Sequence, residues 1–217
     1  MLQSTQLVGG ELVYQISESG AQKNARVRFD GAVLAAGTSD VWMFDLKISD
    51  NGGAWQPLCV DGQGKGVPAI LLADIWDPQS GGKIEPTPTM AITFACRGGA
   101  LAKCVEYGYR PWAPKSNVSL RDYHQACTRM LRADYCGDGK SHTLEGTPIH
   151  IVDKLGVQKA DGSAPYVVEA EWTPSGASCL NYDNTRMPDP ELACDLPACG
   201  PQLSGGLIQS GTLVGSW

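Results

Sequence analysis

The stretch "SLRDYHQACTRMLRADYCGDGKSHT", residues 119–143, decides how the chain is read. Tyr123, Cys127, Met130 and Leu131 recur at the three- and four-residue intervals that line one face of an α-helix. Ser119 stands where an N-cap is expected and Asp122 falls in the first turn, where a carboxylate complements the helix dipole. The predicted helix spans 119–133, and Gly137 or Gly139 is expected to take the left-handed conformation after it. A shorter periodic run, "GALAKCVEY" at 99–107, predicts a second helix, joined to the first by the loop "GYRPWAPKSN". Cys104 and Cys127 both sit on apolar faces, so the spacing predicts a bridge between them that clamps a helical hairpin.

Outside this hairpin the period changes to that of strands. Residues 11–17, 25–34 and 41–49 are the clearest strand runs in the N-terminal part, separated by Asp50-Asn51-Gly52-Gly53, Asp61-Gly62-Gln63-Gly64 and Trp76-Asp77-Pro78, sequences that favour turns. After the hairpin, residues 147–152, 166–172 and 178–182 read as strands. The expected organisation is a strand-rich part at 1–96, a helical hairpin plus strands at 97–183 and a Pro/Gly-rich tail at 184–217, folded as one compact unit. The fold class is α+β: an antiparallel β-rich domain with a two-helix hairpin, stabilised by disulfides.

Composition bounds the rest. At 217 residues the chain can bury roughly 70% of its unfolded surface. Its net charge of -6, with no run of lysine or arginine, offers nucleic acid no electrostatic footprint. No window of about 18 apolar residues exists to span a membrane. Met1-Leu2-Gln3-Ser4-Thr5 lacks the basic and apolar regions of a signal peptide, and the abrupt start is that expected of one domain of a longer chain.

The eight cysteines, Cys59, Cys96, Cys104, Cys127, Cys136, Cys179, Cys194 and Cys199, are even in number and include no C-x-x-C pair. They read as four disulfides and place the protein in an extracellular, cell-surface or periplasmic compartment. With Cys104–Cys127 as the clamp, the remaining pairs are expected to be Cys96–Cys136, Cys59–Cys179 and Cys194–Cys199.

The opening stretch also carries chemistry-bearing side chains. Cys127 or Cys136 with His124 or His142 has the composition of a Cys-His nucleophilic site, but disulfide pairing would leave no thiolate. From Asp134 the run D-Y-C-G-D-G-K-S-H-T-L-E puts Asp134, Asp138, Gly139 and Glu145 at the first, fifth, sixth and twelfth positions of a calcium loop, although Cys136 replaces the third ligand and Pro148 stops an exit helix. Calcium is thus the one cofactor weighed. Asp134, Asp138, His142 and Glu145 form the alternative, the acid/base set of a secreted hydrolase.

"RADYCGDGKSHT", preceded by "HQACTRMLR" and followed by "LEGTPIHIVD", resembles the bacterial ADYC-domain family. The resemblance extends to "FACRGGALAKCVEYGYRPW" at 94–112 and "VEAEWTPSGASCL" at 168–180. It implies a secreted or surface bacterial domain rich in cysteine, and it carries no assigned activity and no catalytic residue.

Six tryptophans against three phenylalanines is an unusual balance, and Trp55, Trp76 and Trp112 lie beside turns. They are the ligand-binding candidates, able to stack on a glycan or grip a protein, unless they cover the edges of a β core. The functional expectation is an interaction module that binds a protein or glycan partner and has no catalytic residue. Beside it stand the secreted hydrolase and a structural subunit joined by its terminal strands, residues 11–17 or 210–217.

Overall fold

The computed structural model describes residues 4–18, 21–50, 52–77, 81–84, 91–159 and 166–213, and the chain forms two compact units. The first takes in residues 1–73 and 92–102, the second residues 74–91 and 103–217.

The first unit is an antiparallel sheet of six strands, β1 (Glu11–Glu18), β2 (Ala21–Leu34), β3 (Trp42–Asp50), β4 (Gln56–Pro57), β5 (Ala69–Ala73) and β6 (Ile92–Cys96). They run in the order β1-β2-β3-β5-β6, with β4 paired to β3. Alternation drives it: Ala25, Val27 and Phe29 of β2 are buried while Arg26 and Arg28 between them are not, and Phe44 and Leu46 of β3 meet the same core. Strands β5 and β6 were not expected. They are short apolar runs without alternation, and they pair with each other across an 18-residue excursion, Ile70 opposite Ala95.

That pairing also corrects two expected disulfides. Cys96 stands opposite Ala69, and Cys59 accepts a bond from the Val67 N–H two residues before Ala69, so Cys59 bridges Cys96 rather than Cys179.

The chain leaves the first unit within α1 (Ala100–Glu106), passes the small hairpin β7 (Pro114–Lys115) and β8 (Val118–Ser119), and enters α2 (Arg121–Arg132). Strands β9 (His150–Asp153), β10 (Tyr166–Thr173), β11 (Gly176–Leu180) and β12 (Ile208–Leu213) form an antiparallel sheet in the order β11-β10-β12-β9. The final strand thus lies inside its sheet. Of the two terminal segments considered for edge-to-edge assembly, only β1 is at an edge, and residues 214–217, with Trp217, lie outside the described residues.

Helix α2 packs Tyr123, Ala126, Cys127 and Met130 against Ala170, Trp172, Leu180 and Ile208, and the Cys104–Cys127 bridge ties it to α1 as the two periodic faces predict. The helix begins two residues after Ser119, which caps nothing beyond the Arg121 N–H at 3.2 Å. It ends at Ala133 rather than at a glycine, while Gly137 (φ 68°) and Gly139 (φ 87°) take the expected left-handed conformation in the turn that follows. Ala133 is left-handed (φ 49°), and its N–H and that of Asp134 return to Met130 and Arg129, a bond pair that offsets the strain of a Cβ in this region.

The tail holds the other two disulfides. Cys194 pairs with Cys136 and Cys199 with Cys179, not with each other. The tail lies along β11, with the Leu180 N–H donating to Pro197 and the Cys199 N–H to Asn181, so each tail cysteine meets a distant partner.

Under α2 lies a buried ion pair that the strand pattern concealed. A bulge between Val168 and Ala170 breaks the alternation of β10 and leaves Glu169 fully buried next to Ala170. Its carboxylate accepts from Arg186 (2.8 and 2.5 Å), Tyr135 (2.7 Å) and Ser210 (2.7 Å), while Arg186 also donates to the Met130 carbonyl. Burial disfavours the charge on Glu169, but attraction to Arg186 and these hydrogen bonds outweigh it and hold its carboxyl below the usual range.

Candidate functional site

Helix α2 buries more than its apolar stripe. His124, Gln125 and Thr128, on the opposite side, are buried as well: residues 81–83 lie across Gln125 and Thr128, and Trp76 packs against His124. Gln125 clamps that segment: its carbonyl oxygen accepts from the Lys83 N–H at 2.8 Å and its amide donates to the Gly81 carbonyl at 3.1 Å. Thr128 donates to the same carbonyl at 2.8 Å. The segment approaches so closely that a Cβ on Gly81, whose φ is +69°, would sit 3.0 Å from Thr128 Cβ.

This crossing walls a pocket of about 460 Å³ in the second unit, lined by Trp76, Lys83, Arg121, Asp122, Gln125, Arg129 and Pro174. Arg121, Gln125 and Arg129 are four residues apart and so form one stripe along α2. Arg121 is held by Asp74. Arg129 is paired with the buried Asp134 and donates to the Pro174 carbonyl at 3.4 Å, which fixes it against the β10–β11 turn. Three cations and one carboxylate therefore face a single concavity in a chain whose net charge is -6. Trp76 closes the pocket from within; it is 1% exposed and packs edge-on to His124 with ring centroids 4.7 Å apart.

Residues 4–186 match the ADYC domain. The chain belongs to the ADYC-domain family. No curated protein and no solved structure matches it. The ADYC tetrapeptide itself is the frame of the pocket's helix: Ala133 ends α2, Asp134 holds Arg129 and accepts from the Gly139 N–H at 3.1 Å, Tyr135 donates to Glu169 and stacks on Trp172, and Cys136 bridges to Cys194.

Cys127 and Cys136 are both half-cystines, which removes the thiolate that a Cys-His site needs. His124 is buried against Trp76, and His142 sets its Nδ1 3.1 Å from the Ala133 carbonyl with its ring beside Tyr135. The calcium candidates face other partners: Asp134 turns to Arg129, Asp138 accepts from the Lys140 N–H in its own turn, and Glu145 is exposed. Among the described residues no group of three or more His, Cys, Asp or Glu side chains is placed to share a metal ion.

The tryptophan candidates divide. Trp76 is core and offers no open face. Trp55 is half-buried, its ring covered by Arg28 at 4.4 Å and Arg26 at 5.0 Å. Trp112 alone of the three is exposed, at 42%. Sequence reasoning missed Lys83, Arg121, Gln125 and Arg129. The stripe at 121, 125 and 129 was legible in the helical period; Lys83 had no local signal, since only tertiary folding brings it to α2.

Proposed function

We propose that this ADYC domain is a non-catalytic interaction module of an extracytoplasmic compartment, and that it binds an anionic partner in the pocket along α2. The observation that carries the reading is the convergence of Lys83, Arg121 and Arg129 on one concavity of an otherwise acidic chain. Arg121 and Arg129 are each paired with a carboxylate, Asp74 and Asp134, but a guanidinium carries five N–H donors in a planar fork whose geometry suits a further anion. Four disulfides support an oxidising location, where thiols pair and stay paired. The partner class narrows the expectation of a protein or glycan to one that carries negative charge.

Calorimetric titration of the disulfide-intact protein with polyglutamate and, separately, with a polyuronate tests the reading. Binding to at least one polyanion is expected, weakening as salt is added and lost on charge reversal by Arg121→Glu. Heat of binding that is absent for both, or unchanged in Arg121→Glu, would remove the pocket as the docking site.

A further inference from the structure

Strand β1 leaves an open edge. It pairs with β2 on one side and ends the first sheet on the other. The Phe29 N–H donates to the Gly10 carbonyl at 3.1 Å, and the register then runs unbroken from Glu11 opposite Arg28 to Glu18 opposite Ala21. Even-numbered residues of β1 therefore turn their backbone groups to β2, and the odd-numbered Glu11, Val13, Gln15 and Ser17 turn theirs outward. Among the described residues no backbone group bonds to these outward ones.

Proteins guard such edges with short strands, lysine, proline, bulges or a covering loop. The second sheet does so: β9 has 4 residues, and β11 is covered by the tail through the bond from the Leu180 N–H to the Pro197 carbonyl. Strand β1 has 8 residues, ELVYQISE, with no lysine, no proline and no bulge. Leu12 is 42% exposed although it stands opposite the buried Val27, and Val13 is 70% exposed.

We propose that a second copy of this chain completes the edge, β1 pairing antiparallel with β1 across a two-fold axis at Tyr14. Only the odd-numbered residues offer outward backbone groups, so these must face each other in bonded pairs. Centring on Tyr14 engages all of them, Glu11 with Ser17 and Val13 with Gln15, each pair repeated by the symmetry. The charges permit this register. Glu11 already pairs with Arg26 of its own chain at 3.6 Å and meets the uncharged Ser17, while Glu18 falls opposite Gly10, so no two carboxylates are set against each other. The same register places Ile16 of the other copy opposite Leu12, which is now partly open to solvent. Pairing uses up both β1 edges, so assembly stops at the dimer.

Analytical ultracentrifugation of the disulfide-intact full chain, from micromolar to millimolar concentration, tests the pairing. One strand pair buries less than a standard interface, so a weak monomer–dimer equilibrium is expected, with no larger species. Each copy carries a net charge of -6, so added salt should strengthen the dimer, the reverse of its expected effect on anion binding. Gln15→Pro removes an outward N–H without touching the bonds to β2, and should weaken the dimer at least about tenfold with little change in melting temperature. Amide hydrogen exchange on the unsubstituted chain gives an independent reading: protection at Val13, Gln15 and Ser17 should rise with concentration, whereas Leu12 and Tyr14, bonded to β2, should be protected throughout. If Gln15→Pro fails to fold, the exchange pattern decides. A chain that stays monomeric at every concentration overturns the inference, as does a larger assembly, a dimer that forms equally well with Gln15→Pro, or outward amides whose protection ignores concentration.

Discussion

Replacing Glu169 by glutamine would remove a charge from the most densely bonded point of the second unit while keeping the side chain's shape. The carboxylate receives side-chain bonds from Arg186, Tyr135 and Ser210, and Arg186 and Glu169 are almost wholly buried. A glutamine can still accept from Tyr135 and Arg186 Nε through its oxygen, but its amide nitrogen then faces the Arg186 NH2 group, donor against donor. Breaking one side of a buried pair in this way costs about 3 to 5 kcal/mol. Tyr135→Phe removes only one of the donors to a carboxylate that keeps its others, and should cost about 1.5 to 3 kcal/mol.

Guanidinium unfolding of the disulfide-intact chain, followed by tryptophan fluorescence, measures both. Glu169→Leu combined with Arg186→Met should recover much of the single-mutant loss, since an apolar pair of similar volume replaces both charges. The pH dependence carries a second readout. Because the folded Glu169 carboxyl titrates below its unfolded counterpart, its contribution is present above the unfolded pKa and is lost as pH falls through the folded one. Glu169→Gln should therefore flatten part of the acid limb of the stability curve. A cost below about 1 kcal/mol for Glu169→Gln, or an acid limb identical to that of the parent protein, would refute the claim that this pair organises the unit.

All eight cysteines should resist alkylation until the protein is reduced, and intact mass reads this directly. Replacing Cys136 and Cys194, 58 residues apart, by alanine should cost about 4 kcal/mol in the loop-entropy description, against about 3 kcal/mol for Cys179 and Cys199, 20 apart. A reversed order in chemical denaturation would contradict the loop argument. Gly137→Ala places a Cβ 1.9 Å from the Ser175 carbonyl oxygen at φ +68°, so its cost should exceed the roughly 1 kcal/mol expected for Gly64→Ala, where φ is also positive but the space is open. Trp76→Ala should cost about 3 to 5 kcal/mol as a core truncation. Trp112→Ala should change the melting temperature little; equal losses at the two sites would mean that Trp112 is core as well.

The readable parts of this protein were the local ones. The three- and four-residue spacing of Tyr123, Cys127 and Met130 determined α2 and its buried face, and with Cys104 on the neighbouring short helix it determined one disulfide, because a helix converts sequence spacing into direction. Alternation did the same for β2 and β3. The Arg121–Gln125–Arg129 stripe belongs to this class, visible once the helical period is applied to polar residues as well as apolar ones.

What lay beyond the sequence depends on partners far along the chain. Strands β5 and β6 are too short to show a period, and each is defined by the other. Strand β12 sits between β10 and β9, a position that no property of residues 208–213 dictates. Cys59, Cys136, Cys179 and Cys194 could not choose partners by spacing, because pairing is decided by which segments the sheets bring within bonding distance. Glu169 reads as an outward charge in an alternating strand until a bulge turns it inward to meet Arg186. The pocket is tertiary for the same reason: one wall is written in the helix, but Lys83, Trp76 and Pro174 reach it only because residues 74–84 and the β10–β11 turn fold against α2.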